Sequence, residues 1–295
     1  MYELTNINVI KKIMSRHGFS FSKGLGQNFI IDPDVCPNMA QMSGITENSG
    51  VIEIGAGVGV LTAELAKRAK KVVSVELDTR LLPILSETLS DFDNIDVINA
   101  DIMKIDLKKL IDDNFSDCSD VCVCANLPYY ITSPIIMMLL ESRIDFKTIT
   151  VMVQLEAGER LCAEVGSRQS GAVTAAVNYY AKARELFKVP RDCFMPSPNV
   201  DSAVIRLDIR KTKDFDIADE KFFFKTVRGA FSLRRKTAAN GLSSALGLDK
   251  NTVNSALENA GLRTNVRAEA LTMDELCRLS NELYKLTGEK KINGF

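Results

Sequence analysis

Asn126-Leu127-Pro128-Tyr129 is the stretch of this sequence best equipped for chemistry. It follows a short apolar run, Val121-Cys122-Val123-Cys124-Ala125, which reads as a fully buried strand because β-branched and small apolar residues continue without polar alternation. Pro128 must stop that strand, since it has no N–H for the ladder and forces its predecessor out of the helical region. The backbone carbonyl of Leu127 and the side-chain carbonyl of Asn126 are then left at a strand's carboxyl end with nothing in the sheet to bond. Two acceptors beside an aromatic ring suit a planar amino group. The exocyclic amine of a nucleobase is a poor nucleophile because its lone pair is delocalised into the ring. Acceptors gripping its two N–H groups would localise that pair, while Tyr129 stacks on the base and fixes its plane. A strand followed by an ordinary proline turn would carry the same four residues.

The elements that must position this stretch begin with a βαβ pattern. Val51-Ile52-Glu53-Ile54 reads as a strand, Gly55-Ala56-Gly57-Val58-Gly59 as a tight turn and Val60 to Ala69 as a helix, and the next strand, Lys71 to Val75, ends at Glu76. The three glycines allow positive φ and a close approach of ligand to backbone, and the helix start adds free N–H groups. Glu76 lies 21 residues after Gly55, where an acidic side chain takes the ribose hydroxyls of a nucleotide-like ligand. A third strand, Ile95 to Asn99, closes at Ala100-Asp101, and the fourth leads into Asn126. The carboxyl ends of an open parallel sheet line one crevice, so Glu76, Asp101 and Asn126 should converge on one ligand. Asp101 could equally cap the helix that follows it.

Upstream, residues 4 to 17 place Leu4, Ile7, Ile10, Ile13 and Met14 at helical spacing. The segment from Lys23 to Ile30 is too rich in glycine for a regular element, and with Phe29-Ile30-Ile31 too apolar for a free tail. It is either a linker or a strap packed beside the ligand. Downstream come a helix from Ser133 to Glu141 and a fifth strand from Thr148 to Val153. A polar loop and helix from Gln154 to Glu164 follow, and then a helix rich in alanine and valine from Gly171 to Ala181. Strands at 185–189 and 203–209 should be antiparallel, because the loop between them holds three prolines and no helix. Phe194 in that loop is either presented as a second ring opposite Tyr129 or a core phenylalanine. A domain boundary is expected near residues 211–219, giving a first domain of 1–210 and a second of 211–295. The second is wholly helical in pattern: 221–231, 235–246, 251–260 and 273–286, the last with Thr272 as N-cap. From Lys225 to Lys236 it carries five positive charges and no negative one, Arg228, Arg234, Arg235 and Lys236 among them. Such a cluster fits phosphate contacts or a solvated face.

The chain of 295 residues is 46% hydrophobic and can bury a large core. No apolar run reaches membrane-spanning length and no signal peptide opens the chain, so a cytoplasmic setting and no membrane partner are expected. Seven cysteines without framework spacing argue for reduced thiols, and a single histidine argues against a zinc site. The formal charge of −1 hides a split. Residues 1–30 hold four basic and one acidic residue, residues 31–120 eight and seventeen, and residues 211–295 fifteen and eleven. Acidic groups near a cationic cofactor and basic groups near a polyanion would produce it, as would solvated faces.

A nicotinamide dehydrogenase would share the Gly55 turn and Glu76, but it leaves Asn126-Leu127-Pro128-Tyr129 without a purpose. S-adenosyl-L-methionine accounts for both, because its sulfonium methyl needs only an aligned nucleophile in an enclosed site, and a cationic donor suits an acidic cleft.

Five motifs, in this order, resemble those of the small-subunit (16S) rRNA adenine N6,N6-dimethyltransferases, the KsgA group. They are Lys23 to Phe29, Glu53 to Gly59, Asn126 to Tyr129, Phe194 to Val204, and Phe231 to Lys236. The similarity runs from about residue 10 to residue 285 and implies an α/β fold, a seven-stranded Rossmann-like methyltransferase sheet with a small all-α C-terminal domain. It also implies dimethylation of two neighbouring adenosines in the 3′-terminal hairpin of 16S rRNA, in the immature small subunit, by a monomer. In these terms Asn28 and Ile30 border the donor, Gly55 and Gly57 touch it, Glu76 takes its ribose and Asp101 its adenine. Asn126 lies between donor and target, and Asn126, Leu127, Pro128 and Tyr129 hold the target amine with Phe194 stacked on its far side. Arg228, Arg234, Arg235 and Lys236 would bind RNA. Ile30 stands where a leucine is usual and Leu155 where a lysine is common. Two alternatives stay open: an antibiotic-resistance (Erm) type dimethylase of the large-subunit rRNA, and a chiefly non-catalytic ribosome assembly factor.

Overall fold

Each element can be traced to a local cause. The Asn6 carboxamide accepts the N–H groups of Asn8 and Val9, starting α1 (Ile7–Arg16), whose buried stripe is Ile10, Ile13 and Met14. The computed structural model describes residues 2–291 apart from Lys23, Leu25, Lys213, Asp214 and Arg234, with side chains through residue 287. After α1 come β1 (Phe29–Ile30), α2 (Val35–Met42), β2 (Ser49–Ile54), α3 (Val60–Ala66), β3 (Lys71–Glu76), α4 (Leu82–Thr88), β4 (Ile95–Asn99), α5 (Leu107–Asn114) and β5 (Asp120–Asn126). Then follow α6 (Thr132–Glu141), β6 (Phe146–Gln154), α7 (Leu155–Cys162), α8 (Ala172–Tyr180), β7 (Ala181–Val189), β8 (Phe194–Met195) and β9 (Ser202–Ile209). Four helices close the chain: α9 (Glu220–Ala230), α10 (Ala238–Leu246), α11 (Lys250–Asn259) and α12 (Met273–Lys291).

Seven strands form one sheet in the order β4-β3-β2-β5-β6-β9-β7. The pairs β4/β3, β3/β2, β2/β5 and β5/β6 are parallel, and β6/β9 is antiparallel. β2 is buried along its whole length, Glu53 included, and β5 from Cys122 to Ala125, the latter stretch an unbroken apolar run in the sequence. Val51, Val72, Cys124, Met152 and Val204 pack against α2 and α3 in one core cluster. A second cluster joins Ile10 and Ile13 of α1 to Ala56, Val58, Ile84 and Leu85. β1 and β8 make a separate two-stranded ladder that pairs Ile30 with Phe194. Helix bounds differ from the sequence reading in several places, the last helix running on to Lys291 among them. α3 stops at Ala66, and α10 starts at Ala238 because the Thr237 hydroxyl accepts the Asn240 N–H and fixes the cap there.

The chain groups into two compact units: residues 1–158 with 182–209, and residues 159–181 with 210–295. The sequence reading divided it once, at 210/211, and kept 159–181 with the first part. What draws α8 to the C-terminal helices is aromatic. The hydroxyls of Tyr179 and Tyr180 donate to the Glu220 carboxylate at 3.0 and 2.8 Å, and their rings meet Phe223 and Phe224. In that unit α9 and α10 cross on small residues. A methyl added at Gly241 would sit 2.5 Å from the Gly229 carbonyl oxygen, backbone that cannot yield cheaply.

Gly241→Ala therefore gains helix propensity worth about 1 kcal/mol but forces the two backbones apart at a cost of about 1–3 kcal/mol. A lower urea midpoint is expected; a raised midpoint would mean the crossing is looser than described.

Candidate active site

Four strand ends and the N-terminal segment build one pocket. The turn after β2 is left-handed at Gly57, φ 58°, and a methyl there would press on the Phe29 ring at 3.4 Å. The Gly57 N–H donates to Glu76 Oε2 at 3.1 Å, and the Asp78 N–H donates to Oε1 at 2.8 Å. Glu76 is buried, and burial raises its pKa while those two N–H donors pull it back down. Asn28, Ile30, Gly55, Gly57, Glu76, Asp101 and Asn126 all line this pocket, as do Leu127, Pro128 and Tyr129. Asp101 also does the humbler task weighed for it, since Oδ1 accepts the Met103 N–H and caps a short 3-10 turn.

The amide of Asn126 is oriented from the N-terminal side. Its Nδ2 donates to the Asn28 carbonyl at 3.4 Å, and Asn28 Nδ2 donates in turn to the Gly26 carbonyl at 3.1 Å. That donation turns Asn126 Oδ1 away from Asn28. The Pro128 carbonyl takes both bonds that open the next turn, from the Ile131 N–H and the Thr132 hydroxyl, so neither is drawn from Leu127. The Tyr129 ring is half-buried and its hydroxyl meets Ser202 Oγ at 2.7 Å; burial pushes its pKa up. Phe194 corrects an expectation. It is not presented to the pocket: it is 3% exposed, inside the core cluster with Ile30 and Val35, because β8 pairs with β1 and turns the ring inward. Arg228, Arg235 and Lys236 are exposed in the helical unit, and Arg234 lies outside the described residues.

Several site residues escaped the sequence reading. Gln27 accepts the Ser22 N–H and donates to Asp78 Oδ2 at 2.8 Å. Arg80 clasps both oxygens of Asp78 at 2.8 and 2.6 Å and lies over the Phe19 ring at 5.2 Å. This bidentate pair holds the Asp78 carboxyl below its usual range. Gln27, Asp78 and Arg80 thus strap the N-terminal segment to the loop carrying Glu76. An acidic residue two places after Glu76 was the one available signal, and it has no meaning until Gln27 is folded beside it.

The likeness to known proteins extends well beyond the pocket. The family model of ribosomal RNA adenine dimethylase matches residues 18–285 of this chain. The chain belongs to the ribosomal RNA adenine dimethylase family. It is 46% identical over 278 residues to the ribosomal RNA small subunit methyltransferase A of Bacillus pumilus, covering 93% of this chain and 95% of that one. To the protein of the same name from Geobacillus thermodenitrificans it is 47% identical over 279 residues, covering 94% and 95%. Among solved structures, a dimethyladenosine transferase from Plasmodium falciparum shares the fold with a TM-score of 0.68 at 24% identity, over 88% of this chain and 98% of that one. The 23S rRNA methyltransferase ErmE is similar with a TM-score of 0.62 at 28% identity, over 87% and 99%. Dimethylases of this family act on ribosomal RNA and take the methyl group from S-adenosylmethionine. The pocket of this dimethylase fits that donor: a carbon added at Gly55 would meet nothing nearer than the Asn126 carbonyl oxygen at 4.0 Å, so bare backbone there allows close approach, two carboxylates can take hydroxyl and amine donors, and the walls between them are apolar. Among the described residues no group of three or more His, Cys, Asp or Glu could hold a metal ion, and no helix is long and apolar enough to cross a membrane.

Beneath the Gly57 turn sits Glu53, fully buried. Its Oε2 accepts from Thr62 Oγ1 and Ser74 Oγ, both at 2.6 Å, while Oε1 has no partner among the described residues. Burial lifts its pKa to about 7 against the two hydroxyl donors, with Glu76 adding a smaller push upward. Between pH 4.5 and 7 the folded dimethylase therefore keeps a proton that the unfolded chain has released, and this group's contribution to stability declines as pH rises through that window. In urea unfolding, Glu53→Gln should gain on the wild type steadily from pH 4.5 to 7; a difference independent of pH would mean Glu53 is ionised throughout.

Proposed function

We propose that this chain dimethylates the N6 amines of two adjacent adenosines in the 3′-terminal hairpin of 16S rRNA, on the immature small ribosomal subunit, as a cytoplasmic monomer. The observation that carries this reading is its 46% identity to a ribosomal RNA small subunit methyltransferase A across 93% of one chain and 95% of the other. A large-subunit target is the rival, because ErmE shares the fold at a lower identity of 28%. Residues 1–210 would form the catalytic domain and residues 211–295 the rRNA-binding domain.

When bound, the donor supplies a methyl carbon made electrophilic by its sulfonium sulfur. Asn28 and Ile30 would border it, Gly55 and Gly57 would lie against its methionine part, Glu76 would accept from its ribose hydroxyls and Asp101 from its adenine amine. On the target side, Asn126 Oδ1 and the Leu127 carbonyl accept the two N–H groups of the incoming amine and draw its lone pair out of conjugation. Pro128 holds the Leu127 carbonyl outside the sheet, and the Tyr129 ring supports the base, its tilt fixed through Ser202. Phe194, as buried in this structure, takes no part in that grip. Exposed Arg228, Arg235 and Lys236 would bind phosphates.

Asn126→Ala should lower kcat by about a hundredfold or more, as removal of one preorganised polar group does, while RNA affinity stays. Methyl transfer at the wild-type rate would remove Asn126 from the mechanism. In parallel, labelled donor incubated with immature small subunits and with large-subunit rRNA should mark only the former; label on the latter alone would reverse the substrate assignment. Changing Arg235 and Lys236 to Ala should weaken RNA binding and flatten the plot of log affinity against log salt by about 0.7–0.9 for each phosphate no longer neutralised. An unaltered slope would leave these side chains facing solvent.

A further inference from the structure

Tyr129 and Tyr130 are consecutive on a 3-10 turn, Tyr129–Ile131. Three residues complete such a turn, so neighbouring side chains diverge by about 120°. The two rings consequently serve different surroundings. Tyr129 is half-buried and tied to Ser202. Tyr130 is 59% exposed, more than any other large hydrophobic side chain among the described residues, yet it lines the same pocket as Asn126. On one side the Gly26 backbone passes near the ring. A carbon built on Gly26 would lie 3.5 and 3.6 Å from its Cδ1 and Cε1, in ordinary van der Waals contact. Gly26 itself is left-handed, φ 62°, a conformation that carries the strap backbone past the ring.

An aromatic ring flanked by backbone on one side, uncovered in front and set at the mouth of a pocket for a flipped-out base has one evident use in an RNA enzyme. We propose that Tyr130 is a stacking platform for the nucleobase adjacent to the target adenosine. This rests on the reading that an RNA adenosine enters the pocket at Asn126. A base drawn out of a strand pulls its neighbours with it, and a neighbour left in water would swing the target away from the acceptors. Stacking on Tyr130 holds the neighbour in place and transmits that order along one sugar-phosphate link to the target. Because every base offers a π-face, the platform selects for a continuous strand and not for a particular neighbouring base. Tyr130 is thus a positioning residue; it does not touch the reacting nitrogen.

The test uses the full-length protein with immature small subunits whose rRNA is intact or carries an abasic nucleotide immediately 5′ or immediately 3′ of the pair of target adenosines, and reads methylation of the adenosine next to it. Tyr130→Ala should raise KM for the intact subunits roughly tenfold, the cost of removing one stack, with kcat and the KM for the donor held; Tyr130→Phe should restore it. On one of the two sides the abasic substitution should cost the wild type the same factor and cost Tyr130→Ala nothing more. Independent, multiplying losses on both sides would overturn the platform, as would an unchanged KM in Tyr130→Ala. Failure of the wild type to methylate the intact subunits at all would instead defeat the substrate reading on which the platform rests, and is visible before any variant is made.

Discussion

The strand order turns back on itself at β2, and the site depends on that reversal. The chain leaves β2 for β3 and then β4 on one side, then returns to lay β5 along the other, with all four strands parallel. The loops leaving β2 and β5 diverge there and open a crevice that no side chain of the sheet can fill. Gly55, Glu76, Asp101 and Asn126 each stand at or just beyond a strand's carboxyl end. Their convergence is a property of the topology before it is a property of the residues. The register supplies the precision. Val51 lies beside Cys122 and Asn126 beside Met152, and a slip of one residue would carry the Asn126 amide to the opposite face of the sheet. The burial of β2 and of Cys122 to Ala125 in β5 makes such a slip costly, so buried strands are what aim the Asn126 amide.

The same crevice explains the state of Glu76. A carboxylate offers about four acceptor positions, and the N–H groups of Gly57 and Asp78 occupy two of them. The capacity left over is what the proposed ribose hydroxyls would use. The backbone donors hold the carboxylate in place without exhausting it, and in a buried setting that stops either oxygen from being left bare. Asp78 has the complementary arrangement. Both of its oxygens are taken by Arg80 and one also by Gln27, so it serves as a rivet for the N-terminal strap and not as a ligand group.

Legibility in the sequence follows the range of the interaction. Strand ends, the glycine turn, Glu76, Asp101 and the Asn126 motif all depend on neighbours within a few residues or on the parallel-sheet rule, and the pocket assembled from them contains every donor-side residue read from the sequence. Phe194 failed because its fate is set by a two-residue ladder with Ile30, more than 160 positions away, and a ladder so short leaves no periodicity. The grouping of residues 159–181 with the C-terminal helices was equally hidden. Alanine and valine at helical spacing announce a buried helix but not its partner, which is decided by Tyr179 and Tyr180 meeting Glu220. The exposure of Tyr130 could not be read either, since two successive tyrosines look alike until a 3-10 turn separates them.

Charge imposes a division of labour on the chain. Residues 31–120 hold seventeen acidic and eight basic residues, so the strands and loops that carry Glu76 and Asp101 favour a cationic donor and repel phosphate. A polyanion could not be recruited by that stretch alone. Residues 211–295 hold fifteen basic and eleven acidic residues, and the exposed Lys225, Arg228, Arg235 and Lys236 among them would supply the attraction proposed above. Attraction of this kind reads backbone and not bases. On the proposed reading, discrimination would be left to two short-range features: RNA shape that matches the distribution of positive charge, and the grip of two carbonyl acceptors on a planar amine. Neither feature is sufficient alone. Acceptors without the basic residues would face a substrate that the surrounding carboxylates hold at a distance. The basic residues without the acceptors would bind RNA and leave its amine unreactive.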